Sequence, residues 1–175
     1  MDDWFTGFIS GVGATLLGSG ATMLWDQYKY RRDATDRDKS LLRALRHEFD
    51  ENSSLIEGNN KILEEELKIT DPDSHIITPL SLLKNGFWDL VKSNLSTGLI
   101  KHESLLAAAR DVALLTESIN ETIRSRQNFK NANGAMSNFG ATVKIYDEIL
   151  GSQNERLAKL LQNAKAELAK IFTIQ

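Results

Sequence analysis

No cysteine occurs anywhere in the 175 residues, which excludes a disulfide scaffold, thiolate metal sites and cysteine nucleophiles together and fits a reducing compartment. Proline is almost as scarce. Pro72 and Pro79 are the only two, so long helices are the default expectation everywhere else. Neither sign of charge dominates. The chain has 21 Lys and Arg against 24 Asp and Glu, a net charge of -3, which gives no field to draw nucleic acid to the molecule as a whole. Any basic site must be local. With 41% hydrophobic and 26% charged residues, the composition is globular and supports one modest core.

Charge is missing altogether from one stretch. Trp4 to Trp25 is a run of 22 residues without an ionisable side chain, flanked by Asp2, Asp3 and Asp26. As a helix it places Trp4 and Trp25 roughly 31 Å apart, close to the thickness of a bilayer's hydrocarbon, so both indoles, with Tyr28 and Tyr30 beyond, can sit as interfacial anchors. A soluble glycine-rich core helix is the competing reading, but such a helix forms poorly in water and has no use for tryptophan at both ends. A cleaved signal peptide fits less well, because the amino-terminal flank is acidic where a positive one is expected. The sequence therefore predicts a transmembrane anchor over residues 1–28 and a helical bundle over residues 29–175.

Orientation follows from the flanks. Lys29, Arg31, Arg32, Arg37 and Lys39 follow the run and no Lys or Arg precedes it, so the following side is expected to stay in the cytoplasm, with the amino terminus outside the inner membrane. The same five residues are suited to anionic lipid, at about 1 kcal/mol each near the surface. Within the run, Gly7, Gly11, Ala14, Gly18 and Ala21 form one stripe of small residues, and Thr6, Ser10, Gly13, Leu17 and Gly20 widen it. Such a face lets two helices approach closely. With one span per chain, the partner helix comes from another copy, so a homo-oligomer is expected.

From Asp26 to about residue 70 the helical pattern continues without a stop. Leu42, Leu45, Phe49, Asn52, Ile56, Asn59 and Leu63 alternate in steps of three and four, the seam of a coiled coil or bundle. The two asparagines either fix a register in that seam or lie at its edge. Charge is polarised along this helix: residues 29–46 hold seven basic and three acidic groups, residues 47–73 two basic and nine acidic. The basic half belongs near anionic lipid and the acidic half away from it.

Residues 70–78, TDPDSHIIT, form the clearest linker, and Thr78-Pro79 reads as an N-cap and N1 proline. The spacing of Leu80, Leu83, Phe87, Trp88 and Val91 predicts a short helix over residues 79–94. A third helix is predicted over residues 102–128 on Leu105, Ala109, Val112, Ile119 and Ile123. The last covers residues 139–172 on Phe139, Val143, Tyr146, Leu150, Leu157, Leu160, Ala164, Leu168 and Ile171, with an interruption at Gly151. No strand pattern competes. The expected fold is all-α: a transmembrane helix continuing into an antiparallel bundle of about four helices.

Three stretches between Leu41 and Ile123, LLRALRHEFDEN, TPLSLLKNGFWDLVKSN and LLAAARDVALLTESIN, resemble a loosely defined group of uncharacterised microbial membrane-anchored helical proteins. In that group an anchor precedes a helix with an EIxxN-like start, a PLSxxxW-like short helix and a helix ending near Asn. His47-Glu48-Phe49 stands where Glu-Ile is usual. The resemblance implies fold and topology and brings no activity.

Catalytic patterns are missing too. There is no GxSxG, no phosphate loop and no glycine-rich dinucleotide turn after a strand. Of His47, Glu48 and Glu51, only His47 and Glu51 share a helix face, and the repeated Glu-x-x-His pairs of a dimetal bundle do not occur. Asp147 and Glu148 point to different faces and read as solvated. No catalytic residue, metal site or cofactor is expected, and the chain reads as a non-enzyme. Two functions fit: a self-associating membrane-anchored module that docks protein partners at the cytoplasmic face, or an oligomeric effector or channel, for example in antiviral defence, with a cytoplasmic helical sensor. The first is preferred, because the hydroxyls available to line a pathway are few.

Overall fold

The heptad-like alternation of the sequence is realised as long helices. The computed structural model describes residues 3–69, 77–88, 102–133 and 139–174, with backbone alone for 3–24, 31, 34, 130–133, 173 and 174. Helix α1 is Asp3–Leu67, a single helical turn α2 covers residues 86–88, α3 is Glu103–Asn133 and α4 is Phe139–Ile174. The fold is all-α, with about four helices and no strand among the described residues. The chain divides into two compact units, Met1–Leu41 and Leu42–Gln175.

The first unit is the amino-terminal part of α1. The side chains of Trp4, Gly7, Gly11, Ala14, Gly18, Ala21 and Arg31 lie outside the described residues. Among the described residues, no helix is long and apolar enough to cross a membrane. Trp25, Tyr28 and Tyr30 are exposed, and the Trp25 and Tyr28 rings lie 6.0 Å apart. Lys29, Arg32 and Arg37 are exposed and Lys39 is half-buried.

The second unit is built on three seams. In α1, Leu42, Leu45, Phe49, Asn52, Ile56, Asn59 and Leu63 are all buried within one chain, and Glu66 continues the row. In α3 the row is Leu105, Ala109, Val112, Thr116, Ile119, Ile123 and Arg126, and in α4 it is Val143, Asp147, Leu150, Asn154, Leu157, Leu161, Ala164, Leu168 and Ile171. Each alternates three and four residues, the spacing that keeps one face of a helix on a partner. Polar members interrupt every seam.

Helices α3 and α4 pack side by side and run antiparallel. Ser104 bonds Glu167 at one end (2.9 Å), Gln153 bonds Ser118 in the middle (3.2 Å), and Phe129 stacks on Phe139 at 5.6 Å near the other. Helix α4 is also antiparallel to the 42–67 part of α1. Lys165 reaches Asp50 and Ser53, each at 2.8 Å, and Asn154 donates to Asn60 at 2.7 Å.

Three expectations are corrected by the structure. Residues 77–85 are not helical, and residues 89–94 of the expected short helix lie outside the described residues. Helix α4 passes through Gly151 without a break. Its seam runs through buried Asp147 and Leu161, with Tyr146 and Leu160 only half-buried beside them. The physical reason for the first correction is that side chains from two helices take backbone groups of residues 78, 81, 83, 84 and 87, which therefore need no intrahelical partners. Thr78, preceding Pro79, is in addition disfavoured from the α region.

Candidate functional site

Residues 77–87 form an extended strap between α1 and α3. Ile77, Leu80, Leu83 and Phe87 are buried, while Thr78, Pro79, Ser81 and Leu82 are exposed. Residues 77–85 are non-helical, and burial at 77, 80 and 83 recurs every third residue, as along a polyproline-II-like chain. Such a chain has no internal hydrogen bonds, so its amides and carbonyls must find partners elsewhere.

Asparagine side chains supply them at three residues. The Asn59 Nδ2 donates to the Ser81 carbonyl and the Ser81 amide donates to Asn59 Oδ1, both at 2.9 Å. Asn52 does the same at Lys84, with bonds of 2.9 and 2.7 Å. Asn120, from α3, does it at Leu83, with bonds of 2.9 and 2.8 Å. A primary amide offers one donor and one acceptor side by side, which matches the N–H and C=O of one extended residue. At the strap's ends, the Phe87 amide donates to Glu48 (2.8 Å) and the Thr78 amide to Glu66 (2.5 Å), while Arg126 Nη1 donates to the Thr78 carbonyl at 3.0 Å.

The register has a simple arithmetic. Asn52, Asn59 and Glu66 are spaced by seven, and their partners Lys84, Ser81 and Thr78 by three. Seven helical residues rise about 10.5 Å and three polyproline-II residues about 9.3 Å, so the two rows stay in step. The pairs also fix direction. The strap runs antiparallel to α1 and to α3, which are therefore parallel to each other, and it occupies the position of the second helix in an up-down-up-down bundle. Burial of its four apolar side chains contributes roughly 1.5–3 kcal/mol each. The nine hydrogen bonds contribute about 0.5–1.5 kcal/mol each, so burial and hydrogen bonding hold the strap comparably, and the asparagines set its register.

Beneath Thr78 lies a charge cluster. Arg126 donates through Nε to Asp147 at 2.6 Å and through Nη2 to Glu66, and these side chains are 1%, 0% and 4% exposed. One guanidinium thus ties α1, α3, α4 and the strap together. A buried ion set of this kind is costly to desolvate, and its guanidinium offsets that cost by hydrogen bonds to both carboxylates and to the Thr78 carbonyl. It is enclosed, with one guanidinium between two carboxylates.

The seam residues Asn52 and Asn59 are thus brought to the strap. Glu48, Glu66, Asn120, Arg126 and Asp147 were not legible as site residues, and Asp147 is buried, not solvated. One signal was present: Glu66, Arg126 and Asp147 each fall on an apolar seam, where an ionisable residue requires a partner. His47 and Glu51 approach only to 3.9 Å on an exposed face, and among the described residues no group of three or more His, Asp or Glu is placed to hold a metal ion.

The class defined by this arrangement is an all-α bundle whose second element is an extended segment clamped by side chains. No family model, curated protein or solved structure matches the chain.

Proposed function

We propose that the chain is a single-pass, membrane-anchored, self-associating helical module that docks protein partners at the cytoplasmic face of the cell membrane. The observation that carries this reading is the 22-residue uncharged run from Trp4 to Trp25, which belongs to the same helix, α1, that enters the bundle. Support comes from the side chains that follow it. Trp25, Tyr28 and Tyr30 are 65%, 59% and 78% exposed, a costly display of aromatic surface in water and a useful one at a lipid interface. Exposed Lys29, Arg32 and Arg37 come next, where anionic headgroups would meet them. For partner docking, Leu114, Ile145 and Ile149 are exposed apolar residues of α3 and α4.

Self-association is assigned to the stripe of Gly7, Gly11, Ala14, Gly18 and Ala21. Gly11→Leu keeps the run hydrophobic, so insertion should survive, while the new side chain holds neighbouring helices apart. In mild detergent and in nanodiscs, this variant should shift to smaller species than the control Leu16→Ile. Unchanged oligomers would remove the stripe as the interface. A monomeric wild type in bilayers would remove self-association, and with it the channel alternative, because one helix cannot enclose a pathway.

A further inference from the structure

We propose that the cleft between α1 and α4 that holds Arg46 and Phe172 binds a small aromatic anion, a phosphate or carboxylate carried on a flat ring. None of its residues belongs to the strap or to the groups that clamp it.

The register of two antiparallel helices creates the cleft. Lys165 of α4 reaches Asp50 and Ser53 of α1, each at 2.8 Å. One turn before Asp50 is Arg46, and one turn after Lys165 is Ala169, so this register sets the Arg46 guanidinium level with an alanine where Lys165 has a carboxylate. Among the described residues, Arg46 makes no ion pair. The small side chain at 169 leaves room, and the walls around it are apolar: Leu168 is 2% exposed and Phe172 36%. Together with Arg46, Asp50, Lys165 and Ala169 they line a cleft of about 330 Å³, within the size range of small-ligand sites.

Charge selects the ligand. Arg46 and Lys165 against Asp50 leave the cleft with a net positive charge, and Lys165 is already held by Asp50, so the uncommitted donor is the guanidinium. Its planar fork matches two oxygens of a carboxylate or phosphate. A bare anion would gain only this contact, which water and salt weaken at an exposed site. An anion carried on a ring also covers Phe172 and Leu168, and a flat body stacks on the Phe172 ring. A neutral ring forgoes the guanidinium, and a cation is repelled by it.

The test uses the full chain in zwitterionic phosphatidylcholine nanodiscs, with alanine methyl groups carbon-13 labelled so that Ala169 reports from inside the cleft. Naphthyl phosphate is the probe, and inorganic phosphate and naphthol are its two halves. The Ala169 methyl resonance should shift saturably with naphthyl phosphate and far less with either half at the same concentration. Arg46→Gln should weaken binding about tenfold, the loss of one charge-assisted hydrogen bond. Phe172→Leu, which leaves the charge unchanged, should weaken it several-fold. Arg43→Gln removes the same charge from an exposed arginine of α1 outside the cleft and should leave binding within twofold of wild type. An Ala169 methyl that does not respond to the probe, or equal losses in Arg43→Gln and Arg46→Gln, would overturn the site and leave the proposed anchor untouched.

Discussion

Asn120 and Leu83 exchange two hydrogen bonds out of reach of water: the Leu83 amide donates to Oδ1 at 2.8 Å and Nδ2 donates back to the Leu83 carbonyl at 2.9 Å. The corresponding bonds of Asn59 with Ser81 are only partly buried. Truncation therefore has unequal consequences. Asn120→Ala strands two buried backbone groups and should cost about 2–4 kcal/mol, while at Asn59→Ala water can replace the lost partners and the cost should be about 1 kcal/mol. Thermal unfolding of the full chain in detergent would show the difference, and equal losses would contradict the ranking.

Arg126 bonds the carboxylates of both Glu66 and Asp147. Replacing it with Met leaves those two acids buried against apolar neighbours, a loss of about 3–5 kcal/mol. Adding Asp147→Leu and Glu66→Gln, the latter keeping an acceptor for the Thr78 amide, should recover most of it. Chemical denaturation midpoints of the single and triple variants check this. A triple variant no better than Arg126→Met would mean that the cluster's geometry matters more than its charge.

The seams were legible because apolar residues recur at 3.5-residue spacing over long stretches, and Leu42 to Leu63 shows this plainly. The strap was not. Leu80, Leu83 and Phe87 fit steps of three and four, and over eleven residues a period of three cannot be told from one of 3.6. What separates them is the partner: Asn52 and Asn59, two turns apart, lie opposite a segment opened by Thr78-Pro79. Part of the clamp falls in the stretches 41–52, 78–94 and 105–120 singled out in the sequence, whereas Asn59, Glu66 and Arg126 lie outside them. Glu48 and Asn52 lie in the first, Ser81, Leu83, Lys84 and Phe87 in the second, and Asn120 in the third. The tertiary role of these residues depends on three helices at once, which local periodicity does not encode.

Gly58 and Gly151 lie inside helices, and a Cβ built on either meets nothing within 4 Å. Gly58→Ala and Gly151→Ala should each stabilise the bundle by about 0.5–1 kcal/mol through helix propensity and reduced freedom of the unfolded chain. A lowered melting temperature for Gly151→Ala would indicate that the helix needs its glycine.

Glu167 has its carboxyl held below the ordinary range, first by the hydrogen bond from Lys170 and then by that from Ser104. Because the folded value is depressed, its contribution is present above the ordinary carboxylate range and is lost as pH falls through the depressed value. In an NMR titration, Lys170→Ala should raise the Glu167 pKa most and Ser104→Ala less. No movement in Ser104→Ala would remove the polar tie between the start of α3 and the end of α4.

The anchor itself is tested most directly by which side of the membrane each end occupies, and a chain without cysteine makes the measurement clean. Single-cysteine variants Asp2→Cys and Gln175→Cys are treated with a membrane-impermeant maleimide in sealed, right-side-out vesicles. The proposal predicts labelling of Asp2→Cys in intact vesicles and of Gln175→Cys only after permeabilisation. Labelling of both without permeabilisation, or release of the protein by alkaline carbonate, would contradict a single span with a cytoplasmic bundle.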